Sequence, residues 1–209
     1  MPEGPEIRRA ADKIAKVLEG KTVNSIEFAF PHLKPFESDL RSREVTALET
    51  RGKALLTHFD NGLSIYSHNQ LYGRWYIVKQ GTLPKTNRSL RLALHTATHS
   101  ALLYSASEID VLDADGIAQH PFLTKIGPDI LSPVLTWQEI ASRLSSPKFI
   151  KRSVGILYLD QAFLAGVGNY LRSEILFDAN INPRARPCDL AKRQINDLAR
   201  STLKISQQA

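Results

Sequence analysis

The first residues that could do chemistry are the first residues of the chain. The sequence opens Met1-Pro2-Glu3-Gly4-Pro5-Glu6. Loss of the initiator Met, its usual fate before proline, would expose a secondary amine at Pro2. An α-amine titrates near about 7.7–8.0, so a useful fraction is neutral at physiological pH and able to act as a nucleophile. A helix beginning at Pro5 would set its positive end beside that amine and disfavour the charged form further. Glu3 stands next to the amine and Glu6 one turn on, and a carboxylate in either place can move protons. Taken alone, the segment reads more simply as a proline-rich start whose acidic residues favour a helix.

Three other clusters carry candidate chemistry. Arg51-Gly52-Lys53 heads an apolar stretch, where a lone lysine ordinarily snorkels into solvent. His68-Asn69-Gln70-Leu71-Tyr72-Gly73 sets a polar, an aliphatic and an aromatic side chain at one loop tip. Such a wedge can fill the gap left by an extruded base. The plainer reading is a hairpin tip with Leu71 or Tyr72 folded onto its sheet. Gly166-Val167-Gly168-Asn169-Tyr170 joins two expected helices. Its glycines let backbone approach a phosphate, and the following helix offers free N–H groups. Asn169 is placed to cap that helix and to donate to a phosphate or sugar. Tight helix packing would also account for the glycines.

These clusters need a scaffold, and composition bounds it. With 209 residues, 43% of them hydrophobic and 23% charged, the chain is expected to fold as one large domain or two small ones. No apolar run is long enough to span a membrane, and the N-terminus has no secretory pattern. The single cysteine, Cys188, excludes an internal disulfide and a Cys-rich zinc site, and it suits a reducing cytosol. The formal net charge is +6. Residues 147–209 hold ten Lys/Arg against five Asp/Glu, whereas residues 1–146 hold 17 against 16. The basic final third suits phosphate contacts, or else a solvated helical surface.

Periodicity places the elements. Ile7, Ala10, Ala11, Ile14, Val17 and Leu18 recur at helical spacing, with Pro5 in the first turn and Gly20 at the end. Residues 22–30, 45–50, 54–59, 63–68, 74–78, 90–96 and 101–104 are short and β-rich, and Asp60-Asn61-Gly62 is a hairpin turn. That spacing predicts an antiparallel sandwich or barrel. From residue 133 the period becomes helical: Thr136-Trp137-Gln138-Glu139 is a capping box, residues 153–160 and 170–179 are expected helices, and Asp189 is expected to cap a last one to about Ser206. A boundary is expected around 125–135.

Together the motifs resemble the formamidopyrimidine-DNA glycosylase/endonuclease VIII family. They are the N-terminal Pro2–Glu6 segment, Arg51-Gly52-Lys53, His120-Pro121-Phe122-Leu123-Thr124-Lys125-Ile126-Gly127-Pro128-Asp129, and Asp160-Gln161-Ala162-Phe163-Leu164-Ala165-Gly166-Val167-Gly168-Asn169. They occur in the family's order, and the compact Gln70-Leu71-Tyr72 cluster favours the endonuclease VIII branch. The resemblance implies an α+β chain: a catalytic antiparallel β-sandwich with flanking helices over 1–130, then a helix–two-turn–helix DNA-binding domain over 131–209. It implies a bifunctional glycosylase/AP lyase that removes oxidised pyrimidines and cleaves abasic sites by β,δ-elimination through a proline Schiff base. Pro2 is then the nucleophile, Glu3 the acid/base group with Glu6 beside it, and Lys53 the lysine that assists proton transfer. Gln70, Leu71 and Tyr72 fill the void, and Lys125, Gly168 and Asn169 meet phosphates. Relatives usually have Arg at position 125, so a bidentate contact becomes a point charge here. The partner is damaged double-stranded DNA, met by a monomer in the bacterial cytosol and nucleoid. Family members continue into a zinc finger carrying a catalytic arginine. This sequence stops at Ala209 with no zinc ligand set, so no cofactor is expected. A finger-less paralogue that binds abasic DNA, an oxidised-purine glycosylase and a helix–turn RNA binder are the alternatives, and the last leaves the N-terminal motif unexplained.

Overall fold

The computed structural model describes residues 2–209. Met1, and with it the expected loss of that residue, lies outside them. The described chain divides into two compact units, one made of Pro2 and Glu6–His120, the other of Glu3–Pro5 and Pro121–Ala209.

The first unit is an antiparallel sandwich. Helix α1 (Gly4–Leu18) leads into β1 (Thr22–Val23), β2 (Ser25–Phe28), α2 (Phe36–Leu40), β3 (Arg43–Arg51), β4 (Ala54–Phe59), β5 (Ser64–His68), β6 (Arg74–Lys79), β7 (Leu90–His95), β8 (His99–Tyr104), β9 (Glu108–Leu112) and α3 (Ala114–Gln119). One sheet has the order β1-β3-β4-β5-β9 and the other β2-β7-β8-β6. Val45, Leu55, Phe59, Ile65 and Ile109 of the first sheet share a buried core with Ile26, Phe28, Leu92, Leu94, Ala101 and Leu103 of the second. Ala11, Ile14 and Leu18 of α1 join it, which is why α1 keeps apolar residues at helical spacing. Each fully buried aliphatic side chain contributes roughly 1.5–3 kcal/mol.

Local chemistry sets the turns. Gly20 sits at φ +68 and donates its N–H to Val45 O at 2.8 Å. Gly62 closes the β4–β5 hairpin at φ +81, a conformation that costs a β-carbon-bearing residue free energy. The expected strand over 22–30 breaks in two, because Thr22–Val23 pairs with β3 while Ser25–Phe28 pairs with β7. β9, α2 and α3 span only five, five and six residues, too short for the sequence to mark them, although Glu108-Ile109-Asp110-Val111 of β9 does alternate. β9 is paired into place by β5, and Asp113 caps α3 by accepting from Gly116 N.

The second unit is helical: α4 (Trp137–Leu144), α5 (Val154–Leu157), α6 (Asn169–Asp178) and α7 (Lys192–Gln208). The capping box at α4 forms as read, with Thr136 Oγ1 accepting from Glu139 N and Glu139 Oε2 accepting from Thr136 N. Ile140, Leu144, Leu171, Ile175, Ile195 and Leu198 interlock in one core. The helix expected over 153–160 is shorter, α5 giving way to turns through Asp160. Asp189 does not cap α7. Its carboxylate is taken by the Arg186 guanidinium at 2.8 and 2.9 Å, and α7 starts later, at Lys192.

Candidate active site

In the second unit the turn before α6 is built around Glu3. The side chain is 5% exposed, and its carboxylate accepts three backbone N–H groups: Gly168 at 2.9 Å, Tyr170 at 2.7 Å and Leu171 at 3.0 Å. These are donors that the start of a helix leaves without partners, and a carboxylate there also complements the helix dipole. The cap of α6 is therefore Gly168 with Glu3 as its acceptor, and the expectation that Asn169 caps the helix is corrected: Asn169 is the first helical residue and is exposed. Glu3, which supplies what a short cap would have supplied, lies 165 residues away along the chain.

Each glycine of the turn has its own physical reason. A Cβ on Gly168 would lie 2.4 Å from both Cδ and Oε1 of Glu3, so the carboxylate occupies the space a side chain would need. Gly166 sits at φ +98, where a side chain is strained, and its carbonyl accepts from Gly4 N at 2.8 Å. Gln161 ties the turn from within. Its Oε1 accepts from Gly166 N at 3.0 Å, and its Nε2 donates to Val167 O at 2.9 Å. Gln161 stands in the Asp160–Asn169 motif, but nothing in its neighbours marks it as the tie of this turn. The 125–129 segment is pinned to the same loop: Gly127 N donates to Gln161 O, and Ala165 N donates to Pro128 O. Lys125 is exposed on that segment.

In the first unit Lys53 does not snorkel. It is 8% exposed, on the β3–β4 turn that Gly52 makes at φ +62. His68 lies on the adjacent strand, paired with Ala54, and is 7% exposed. Burial, and secondarily the charge of Lys53, pushes its imidazole down to about 4. The ring is therefore neutral near pH 7. Its Nδ1 accepts from Gln70 N at 3.1 Å, which places the ring proton on Nε2. The sequence signals His68 by position alone, at the head of the loop it braces.

The loop from Asn69 to Gly73 is not a hairpin tip. It leaves β5 in one sheet and enters β6 in the other. Its frame is held throughout: Gln70 donates its side-chain amide to Glu108, Arg88 donates to Tyr72 O, and Gly73 N donates to Asn69 O at 2.7 Å. From this braced frame Leu71 and Tyr72 project 59% and 69% exposed, so neither folds onto the sheet. Glu6 is half-buried on α1 and paired with Arg9 at 3.4 Å, and it lines a cavity of about 420 Å³ with Arg74 and Trp75. Pro2 is half-buried. The structure thus gathers Glu3, Gly168 and the Lys125 segment in one unit, and Lys53, His68 and Gln70 in the other.

Both units match models of one family. Residues 1–107 match the formamidopyrimidine-DNA glycosylase N-terminal domain and residues 126–209 its H2TH domain. The chain belongs to the formamidopyrimidine-DNA glycosylase family, whose members are DNA glycosylases with AP lyase activity. Among its relatives is Endonuclease 8 of Salmonella schwarzengrund (strain CVM19633), 53% identical over 98% of this chain and 78% of that protein. Endonuclease 8 of Salmonella arizonae (strain ATCC BAA-731 / CDC346-86 / RSK2980) is 52% identical over the same shares. Of solved structures, Lactococcus lactis formamido-pyrimidine DNA glycosylase bound to DNA containing an AP site superposes with a TM-score of 0.84 at 21% identity, covering 99% of this chain and 80% of that one. MutM in complex with DNA containing carbocyclic 8-oxo-G also gives 0.84 at 21%, covering 100% and 79%. At that identity the likeness concerns the fold.

Among the described residues no group of three or more His, Cys, Asp or Glu is placed to hold a metal, and the one cysteine, Cys188, is exposed. No described helix is long and apolar enough to cross a membrane.

Proposed function

We propose that this protein acts alone, as a monomer, on damaged duplex DNA, excising oxidised pyrimidines and cleaving abasic sites. The Pro2 nitrogen bonds to C1′ of the damaged nucleotide as the C1′–base bond breaks, and the base leaves with the electron pair and a proton. Opening of the sugar gives a Pro2 iminium. Loss of a C2′ proton then expels the 3′ phosphate, a second elimination expels the 5′ phosphate, and water returns the free amine. Glu3 moves the protons of base release, and Lys53 assists proton transfer in the eliminations. Gln70, Leu71 and Tyr72 fill the place of the extruded nucleotide, while Lys125 and Asn169 meet the backbone; Gly168, expected there from the sequence, is buried with its N–H given to Glu3 Oε2 and so shapes the cap instead. The reaction uses the chain's own groups alone.

One observation carries this reading: the Glu3 carboxylate, next in the chain to Pro2, is locked by three backbone N–H groups rather than left mobile. A group that must act at a fixed atom benefits from fixed orientation. The relatives named Endonuclease 8 support the oxidised-pyrimidine branch. Borohydride reduction on an abasic duplex tests it. The N-terminal peptide should be trapped on the DNA, and a chain extended by a few residues before Pro2 should lose cleavage at abasic sites. Equal cleavage by the extended chain would show that another group is the nucleophile.

A further inference from the structure

The side of α6 that begins at Asn169 continues through Arg172, Leu176 and Phe177, three, seven and eight residues on, so these residues share one helix face. A groove of about 780 Å³ lies along it, floored by Leu176 and Ile181 and edged by Arg172, Phe177, Asn180 and Asn182. That volume is of small-ligand size. Phe177 is 85% exposed, a flat aromatic face held out in water at the groove's edge. No carboxylate lines the groove. Arg172 spends one donor on Gly155 O at 3.3 Å, which fixes its guanidinium. Asn182 uses its Oδ1 to accept from Arg184 N at 2.9 Å, which leaves its NH2 group turned to other partners. Asn180 sits at φ +52 and donates its N–H to Phe177 O, so the chain folds back beside the ring.

One stacking face, two amides and one cation, with no anion, match an unstacked nucleotide. Every base offers a π-face and a mixed edge of donors and acceptors, and each nucleotide brings a phosphate. A protein hot spot, by contrast, gathers several apolar anchors in one pocket. We propose that this groove binds one unstacked nucleotide of a DNA strand running along α6 from Asn169, with the base on Phe177, its edge at Asn180 and Asn182, and its phosphate at Arg172. The inference rests on the reading of the protein as DNA-binding.

Fluorescence anisotropy with the full chain tests it. The probes are a duplex with a central tetrahydrofuran abasic analogue, either blunt or carrying a four-nucleotide single-stranded tail at its 5′ or 3′ end. One tailed duplex should bind about tenfold more tightly than the blunt one, the scale of one base stacking on an aromatic ring. Phe177→Ala should abolish that gain. Asn182→Asp, which keeps the acceptor for Arg184 N but adds a negative charge, should abolish it as well. Both variants should cleave a blunt abasic duplex at the wild-type rate. Equal binding of all three duplexes, or a gain that survives Phe177→Ala, would overturn the proposal. Failure of the wild-type chain to cleave abasic DNA would count against Pro2 as nucleophile instead and leave the comparison of tails intact.

Discussion

Replacing Gly168 by alanine would put a methyl group 2.4 Å from Glu3 Oε1, against a residue held on three sides by backbone donors. The carboxylate must swing away, and the α6 cap goes with it. Gly168→Ala should therefore behave like Glu3→Gln, losing damaged-base excision roughly a hundredfold while keeping part of the cleavage at preformed abasic sites. Single-turnover rates on the two substrates check this, and wild-type excision by Gly168→Ala would show that the orientation of Glu3 is not required. His68 makes a different statement. Its folded-state imidazole titrates at about 4, below the ordinary 6.5. Between those values the unfolded chain takes up a proton that the folded chain refuses. Stability should then fall as pH drops from 6.5 to 4, by about 3 kcal/mol in all, and this term should not vary above pH 7. His68→Gln should shrink the difference between urea midpoints at pH 7 and 4.5, and an unchanged difference would assign the acid sensitivity elsewhere.

At the scale of elements, the loop between β5 and β6 and the turn before α6 share a design: a rigid frame with exposed groups at its tip. In the loop the frame is fixed through His68, Glu108 and Arg88, and Leu71 and Tyr72 are the exposed groups. A side chain that offsets unstacking matters only when a base must be extruded. Leu71→Ala should lower excision of thymine glycol, an oxidised pyrimidine, about tenfold, yet change cleavage at a preformed abasic site less than twofold. Equal losses on both substrates would mean that Leu71 serves DNA binding in general. In the α6 turn the frame is Gln161, Gly166 and Glu3, and the exposed groups are Asn169 and Tyr170.

At the scale of the whole molecule the excess of positive charge in residues 147–209 belongs to the unit that carries α6. Some of the ten Lys/Arg there are internally paired, as Arg186 with Asp189 and Lys204 with Asp178, and the excess is what the five Asp/Glu leave unmatched. Lys125, exposed beside the same loop, is a point charge for backbone contact. Lys125→Ala should reduce the slope of log K against log salt by roughly 0.9, one phosphate's worth, with no change in sequence preference. An unchanged slope would show that Lys125 does not meet DNA. The sequence by itself determined α1, the hairpin at Asn61-Gly62, the capping box at Thr136 and the change from strand to helical period, because each is written in neighbouring residues. It also carried the motifs that identify the family. Tertiary structure decided what depends on residues far apart. Lys53 and His68 are buried side by side because two strands pair. β9 alternates only over Glu108-Ile109-Asp110-Val111, too short a run to mark a strand by itself, and it exists because β5 offers it an edge. Asp189 is withdrawn from α7 by Arg186. Above all, α6 is capped by Glu3 from the other end of the chain, and Gly168 is required because a carboxylate fills its space. Local propensity names a short polar side chain for a cap, and only the folded chain shows that the acceptor comes from elsewhere.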